Sequence, residues 1–322
     1  MRWLFAVGRL RQLGVLGMNR RNAACILDHN PRAKFPLVDD KLCMHDLCRK
    51  IGVATPRLYL DVSSYATLRR LPHLLGGLDD FVIKPNRGSA GRGVLVIVGR
   101  EGTHYLRHNG DRLGIDCLRQ HISDILSGMY SLGGHPDRAI LQQRIRLHPA
   151  FAAVSYKGIP DVRVILYRNE PAMAMLRLPT RTSNGRANLH QGGIGTGVDL
   201  ATGVTNHAVQ RNRVVHRHPD TGNALVGMRV PYWPDVLTMA RQVARAVGLG
   251  YVGVDIVVDA AEGPILLEAN ARPGLAIQIA NGQGLLPRLE AIDALLDDTP
   301  RTKPLDHLRR RPAVPAHVAK GA

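Results

Sequence analysis

Three residues late in the chain have the types and the spacing to hold a cation. "PILLEAN" (264–270) is an apolar strand that ends by presenting an acid, Glu268, and an amide, Asn270, before "ARPG" breaks it. Residues two apart on a strand share one face. The strand before it, "YVGVDIVVDA", carries Asp255, and "AAEGP" turns the chain between the two. An even loop centred between Ala261 and Glu262 sets Asp255 directly opposite Glu268. Carboxylates facing each other across a ladder lie about 5 Å apart and repel. No Lys or Arg occupies a neighbouring position on that face, so a divalent cation is the expected counter-charge. Two carboxylates and an amide are the oxygen ligands that suit Mg²⁺, with Mn²⁺ as the alternative. The competing reading leaves the acids solvated or paired with a distant arginine, and an odd loop would slip the register by one residue.

A second constellation suits phosphate. In "FVIKPNRGSAGRGVLVIV" (81–98) Lys84 ends one strand, and Gly88, Gly91 and Gly93 follow before the next. Bare backbone N–H groups in such a loop can approach phosphate oxygens closely. It is not a P-loop, which needs GxxxxGK[ST] opening a helix. Nor is it a dinucleotide-binding turn, because a strand rather than a helix follows. A glycine loop between two strands is a flap that can close over phosphates; the plainer alternative is an ordinary hairpin with a flexible loop.

The elements that must position these residues alternate irregularly. "DDKLCMHDLCRKI" (39–51) reads as a helix stopped by Gly52. "PRLYLDV" reads as a strand, followed by a helix over 65–72. "FVIK" and "VLVIV" are strands, and residues 112–129 a long amphipathic helix. "AILQQRI", "DVRVILYR" and "PAMAMLRL" are strands, 184–197 a polar glycine-rich loop, 233–247 a second long helix, and 285–296 a short one. Without regular βαβ alternation this is α+β rather than a doubly wound sheet.

Bulk properties bound the partners. The chain has 322 residues, 45% hydrophobic and 4% aromatic, with 43 Lys and Arg against 26 Asp and Glu, a formal charge of +17 and a pI near 10.5. Such a field attracts polyanions: nucleotide, nucleic acid, an acidic peptide or an anionic membrane surface. Much of the excess lies near the ends, around Arg20 and Arg21 and in residues 299–322, a basic, Pro-rich tail expected to be disordered. The opening "MRWLFAVGRLRQLGVLG" is interrupted by Arg9 and Arg11 and has no cleavage pattern. It reads as an amphipathic helix, with a surface-binding segment as the alternative. No window is long enough for a membrane span. Cys25, Cys43, Cys48 and Cys117 form no CxxC pair, so reduced thiols and a cytoplasmic location are expected.

The motifs "DKLCMHDLCRKIGVATP", "FVIKPNRGSAGRGV", "ILQQRI", "DVRVIL", "RANLHQGG" and "GVDIVV…GPILLEANARPG" occur in that order over residues 39–284. Together they resemble the ATP-grasp superfamily, in its glutamate ligase-like (RimK-type) branch. The resemblance implies an α+β ATP-grasp fold, two α/β lobes gripping a nucleotide. The domain would run over 39–298, with a nucleotide-gripping lobe at 55–140 and a metal and catalytic lobe at 141–298, after an N-terminal helical segment at 1–38. It implies that Lys84, with Lys41 a weaker candidate, contacts ATP phosphates under the Gly88, Gly91 and Gly93 loop. The "ILQQRI" strand would be the hinge at the adenine edge, with Gln143 and Arg144 at the nucleotide. Asp161 would lie near the ribose or triphosphate, and Asn188 near the γ-phosphate. Arg163 would face the reacting phosphoryl group, and Asp255, Glu268 and Asn270 would hold Mg²⁺.

Three departures bear on the substrate. Gln143 stands where family members often carry Glu. Arg272 replaces a small residue and is expected to bind an acidic substrate. Only about forty residues precede "DKLCMHDLC", too few for the usual N-terminal α/β domain, so a partner protein is a candidate to complete the substrate site. The activity implied is an ATP-dependent carboxylate–amine ligase working through an acyl phosphate and adding glutamate or another acidic amino acid to a peptide or small acceptor. The alternatives are a phosphotransferase on a small molecule and a non-catalytic nucleotide- or nucleic-acid-binding protein. Charge favours nucleic acid; the scarcity of stacking aromatics opposes it.

Overall fold

Strict alternation sets the first sheet. In "FVIKP" Phe81, Ile83 and Pro85 are buried while Val82 and Lys84 are half-exposed, so β2 (Phe81–Pro85) turns one face to a core and the other to a cleft. The structure, a computed structural model, describes residues 8–88, 91–131 and 133–297. β2 belongs to an antiparallel sheet with β1 (Leu58–Val62), β3 (Leu95–Glu101), β4 (His104–Arg107), β5 (Arg112–Leu113) and β6 (Ala139–Gln142), in the order β1-β6-β2-β3-β4-β5. The helix Ile115–Leu126 lays Leu118, Ile122 and Ile125 on the buried face, where they meet Leu68, Leu71, Phe81, Ile83 and Ile97. This is one apolar stripe at helical spacing. The helix is shorter than the 112–129 expected, because Arg112 and Leu113 pair with β4 instead.

The second sheet is longer and more buried. It contains β7 (Asp161–Tyr167), β8 (Glu170–Leu178), β9 (Ile194–Val198), β10 (Thr205–Gln210), β11 (Arg213–Val214), β12 (Tyr251–Asp259) and β13 (Gly263–Asn270), ordered β11-β10-β9-β8-β7-β12-β13. Every residue of β12 is buried. The helix Trp233–Val247 covers the sheet through Val236, Ala240, Val243 and Val247. β9 begins inside the stretch expected to be a polar loop. Its glycines serve close approach rather than flexibility: a Cβ on Gly195 would sit 2.7 Å from Leu189 Cδ2, and one on Gly197 2.6 Å from Asn206 Oδ1.

The residues ahead of β1 join the second lobe. Residues 8–12 are helical, a π-helix spans Arg21–Leu27, and Leu16, Cys25, Ile26, Phe35 and Val38 bury in the core of the seven-stranded sheet. The helix Lys41–Ile51 starts where Asp40 accepts hydrogen bonds from the N–H groups of Leu42 and Cys43 and stops at Gly52, φ 70°, a capped start and a left-handed stop. All four cysteines are free thiols. Among the described residues no helix is long and apolar enough to cross a membrane. The tail at 299–322 lies outside the described residues.

Candidate functional site

The Asp255–Glu268 pair forms, by a route other than the one expected. The β12–β13 loop is odd: three residues, 260–262, separate the last pair, Asp259 and Gly263. Asp259 Oδ1 accepts from Ala261 N–H (2.8 Å) and Glu262 N–H (3.1 Å), and Gly263 takes φ 73°. This is the acid-and-glycine chemistry of a three-residue hairpin. The register then shifts between Ile256–Leu266 and Asp255–Glu268. A bulge at Leu267 restores the pairing that the odd loop alone would have lost.

Arginines also supply counter-charge to Asp255. On its other side Asp255 pairs with Arg163 of β7, and opposed residues share a face. Arg163 grips Asp255 through both carboxylate oxygens, Nε to Oδ1 at 2.7 Å and Nη2 to Oδ2 at 2.5 Å. Arg177 of β8 adds Nη2 to Asp255 Oδ2 at 2.8 Å and pairs through Nε with Asp161, its cross-strand neighbour. Burial alone would raise the Asp255 carboxyl, but Arg163 and Arg177 overcome it and hold the group well below the usual carboxylate range. Burial pushes Asp161 the opposite way; Arg177 opposes that rise and Asp255 adds to it. Sequence reasoning missed Arg177. Its partner strand could not be read from local pattern.

Across the cleft stands Lys84. No ion pair to its ammonium forms among the described residues, and its pKa falls to about 8, chiefly through burial, then through Lys41, with Glu268 pulling the other way. Lys41 does not point at open space: its Nζ donates to Gly88 O at 2.9 Å and Asn86 O at 3.2 Å, so it anchors the root of the glycine loop. Gly88 and Gly91 line the cleft. Gly93 supports from behind: it takes φ 70°, and a Cβ there would lie 2.6 Å from the Tyr130 ring. Residues 89 and 90 lie outside the described set.

The cleft between the sheets has a volume of about 370 Å³, with Val82, Val96, Ile145, Ile159 and Leu267 as apolar wall and Lys84, Asp161, Arg177, Asp255 and Glu268 as charged floor. The size and the mix are those of a ligand site. Gln142 also lines it, and its buried Oε1 has no hydrogen-bond partner among the described residues, a group left for a ligand or a water to satisfy. Gln143, the residue expected to touch the nucleotide, also lines the cleft, with its side chain held by two neighbours. Its Oε1 accepts from Arg57 N–H at 3.2 Å and its Nε2 donates to Glu262 at 2.6 Å, a strut across the hinge. Arg144 borders the cleft but sends its guanidinium to Asp80, 2.9 Å away. Asn188 lines the cleft, with Oδ1 accepting from His190 N–H at 3.0 Å. Arg272 is not among the lining residues; its guanidinium stacks on Phe35, 4.7 Å from the ring centroid. The contact it makes is a cation–π one at the surface.

The donor set fits a cation once one amide turns. Asn270 Nδ2 lies 3.4 Å from both Asp255 Oδ2 and Glu268 Oε1, bridging the two acids as a donor. Rotating the amide exchanges nitrogen for oxygen at the same point, so Asp255, Glu268 and Asn270 can offer three oxygens together. Asp255 would then share its oxygens with Arg163 and Arg177.

Two antiparallel sheets that close on a cleft, a lysine from one and an acid–acid–amide set from the other, define the ATP-grasp class. Within it the chain belongs to the sugar-transfer associated ATP-grasp family, whose description matches residues 20–294. ATP and Mg²⁺ are the nucleotide and cation of this class. The ATP-grasp ligase PsnB, complexed with a minimal precursor, is similar at 16% identity and TM-score 0.45, covering 84% of this chain and 63% of that one. Another PsnB structure holds Mg and ADP. The D-cycloserine synthetase DcsG is similar at 16% identity and TM-score 0.46, covering 83% and 73%. A RimK domain ATP-grasp protein from Sphaerobacter thermophilus follows at 13% and 0.45, covering 82% and 70%. The chain thus spans somewhat less than two thirds of the length of the PsnB structure. None of the curated proteins matches it.

Proposed function

We propose that this protein is an ATP-dependent carboxylate–amine ligase. The observation that carries the reading is the juxtaposition of Lys84, which forms no ion pair among the described residues, with Asp255 and Glu268 across one cleft, Asn270 bridging the two acids. In the proposed reaction a substrate carboxylate oxygen attacks the γ-phosphorus of ATP, and the bond to the bridging oxygen breaks to release ADP. An amine then attacks the acyl carbon, and phosphate leaves with the bond electrons while the amine loses a proton. None of these steps needs an enzyme nucleophile.

The chain's own residues supply position and charge. Lys84 binds phosphate oxygens, and Lys41 holds the loop carrying Gly88 and Gly91 above them. Arg163 and Arg177, fixed by Asp255 and Asp161, offer guanidinium charge to the phosphoryl oxygens. Asp255, Glu268 and Asn270 would hold Mg²⁺, which when bound supplies neutralisation of phosphate charge. Gln142 Oε1, rather than the Gln143 side chain, is available to accept from the nucleotide base.

Arg92 and Arg186 support an acidic substrate. Both line the cleft and both are exposed; neither makes an ion pair among the described residues. Glutamate or another acidic amino acid, joined to a peptide or small acceptor, is the substrate class we favour. The test is Mg²⁺-dependent ADP release across pairs of carboxylates and amines, with Glu268→Gln as the blank. Release that requires both partners and disappears in the variant supports a ligase. Release with a carboxylate alone, unaffected by any amine and yielding a stable phosphorylated product, refutes it in favour of a phosphotransferase.

A further inference from the structure

Residues 8–20 are pinned to the body at Gly14 and Leu16 and exposed on either side. Leu286 N–H donates to Gly14 O at 3.0 Å. Leu16 N–H donates to Gln278 Oε1 at 2.8 Å, and Gln278 Nε2 returns a bond to Leu16 O at 3.1 Å. Gly14 and Gly284 touch so closely that a Cβ on Gly284 would lie 2.1 Å from Gly14 O. Leu16 is buried, yet every residue from 8 to 13 and from 17 to 20 is exposed. The anchor fixes the direction in which those exposed side chains face.

What they present is apolar groups set among arginines. Leu10 is 49% exposed, Leu13 56% and Met18 63%. Leu10 and Leu13 are three apart, the spacing that shares a helix side. Arg9 and Arg11 flank Leu10, and neither forms an ion pair among the described residues. Arg20 has only a 3.7 Å contact with Glu290, with both side chains mostly exposed. Met1–Val7 precede this strip with the sequence MRWLFAV, which holds one of the two tryptophans of the whole chain.

We infer that this strip is a peripheral docking surface for an anionic lipid bilayer. Apolar side chains bordered by arginine are the pattern of a segment lying in a membrane interface, where leucines enter the acyl boundary and arginines meet lipid phosphates. A second copy of the chain is a poor occupant, because the face would meet its own positive charge. Nucleic acid would answer the arginines and leave Leu10, Leu13 and Met18 in water. Docking here would set the cleft at a fixed orientation to the bilayer and bring it to acceptors carried on lipid.

The experiment is flotation of the full chain with vesicles of phosphatidylcholine, or of phosphatidylcholine containing about a third phosphatidylglycerol. It compares wild type with the double variants Leu10→Glu/Leu13→Glu and Arg9→Glu/Arg11→Glu. All four side chains are exposed, and thermal unfolding of each variant checks that the fold is retained. The expected result is flotation with the anionic vesicles only, falling about tenfold or more in both variants and weakening as salt rises from about 0.1 M to about 0.5 M. No flotation of the wild type overturns the inference. Anionic flotation that survives Leu10→Glu/Leu13→Glu also overturns it, by assigning binding to charge elsewhere in the chain. Arginine-dependent capture of duplex RNA without any vesicle binding would overturn it in favour of nucleic acid.

Discussion

If Lys84 is the phosphate-binding cation, its environment makes nucleotide affinity depend on pH in a range where an ordinary lysine would show nothing. Burial first, and Lys41 second, bring its pKa down from 10.5 to about 8. At pH 7 about nine in ten Lys84 side chains are charged, and at pH 9.5 about one in thirty. Phosphate holds the bound ammonium charged, so nucleotide binding at high pH must take up the missing proton. Affinity should fall about 30-fold between pH 7 and 9.5, or about 2 kcal/mol. Calorimetric titration of ATP in two buffers of different ionisation heat should report about one proton taken up per nucleotide at pH 9.5 and about a tenth at pH 7. Lys84→Arg keeps its charge throughout this range and should flatten the profile. Stability moves in the opposite sense to binding. Between about pH 8 and 10.5 the unfolded chain binds more protons at this site than the folded one, so stability rises with pH there. Below pH 8 the charged Lys84 is a cost to the ligand-free fold. Lys84→Met should therefore raise the melting temperature at pH 7 while weakening ATP. A wild-type affinity that stays flat from pH 7 to 9.5, with no proton uptake, would refute the assignment.

Other perturbations separate structure from chemistry. Asp255→Ala leaves the mostly buried Arg163 and Arg177 short of their shared acid and should cost about 3–5 kcal/mol in denaturant unfolding. Glu268→Gln removes a half-buried acid that accepts from Asn270 at 3.4 Å; it should unfold like wild type while ADP release drops about 100-fold or more. Gly93→Ala combines φ 70° with a clash against Tyr130 and should lower stability by about 1–3 kcal/mol, with weaker ATP binding by calorimetry. Arg272→Ala should leave ADP release within about twofold and lose only the stacking on Phe35, about 0.5–1 kcal/mol.

Local pattern carried most of the elements and few of the contacts between them. The helix Trp233–Val247 was legible to the residue, because its apolar spacing is unbroken and Gly248 ends it. The alternation in "FVIKP" sets Lys84 on the less buried face of its strand. By contrast, Arg163 meets Asp255 across 92 positions of sequence, and nothing local says that β7 lies beside β12. Parity separates Gln142 from Gln143, although both line the cleft. Gln142 pairs with Val82 and both line the cleft, while the Gln143 side chain bonds Arg57 and Glu262.

The hairpin shows why a correct pair can follow from a wrong premise. The odd loop was readable: Asp259 and Gly263 flanking three residues are its signature. Had that been taken alone, Asp255 would have been set opposite Leu267, and the two-acid site would have vanished from the sequence. The bulge was not readable, since "ILL" offers no glycine or proline to mark it. Yet the bulge has a chemical consequence. It brings Leu267 and Glu268 to line the same cleft, an apolar contact beside an acid. The strand thereby joins the apolar wall of the cleft to its charged floor, which is why an apolar core strand ends in Glu268 and Asn270.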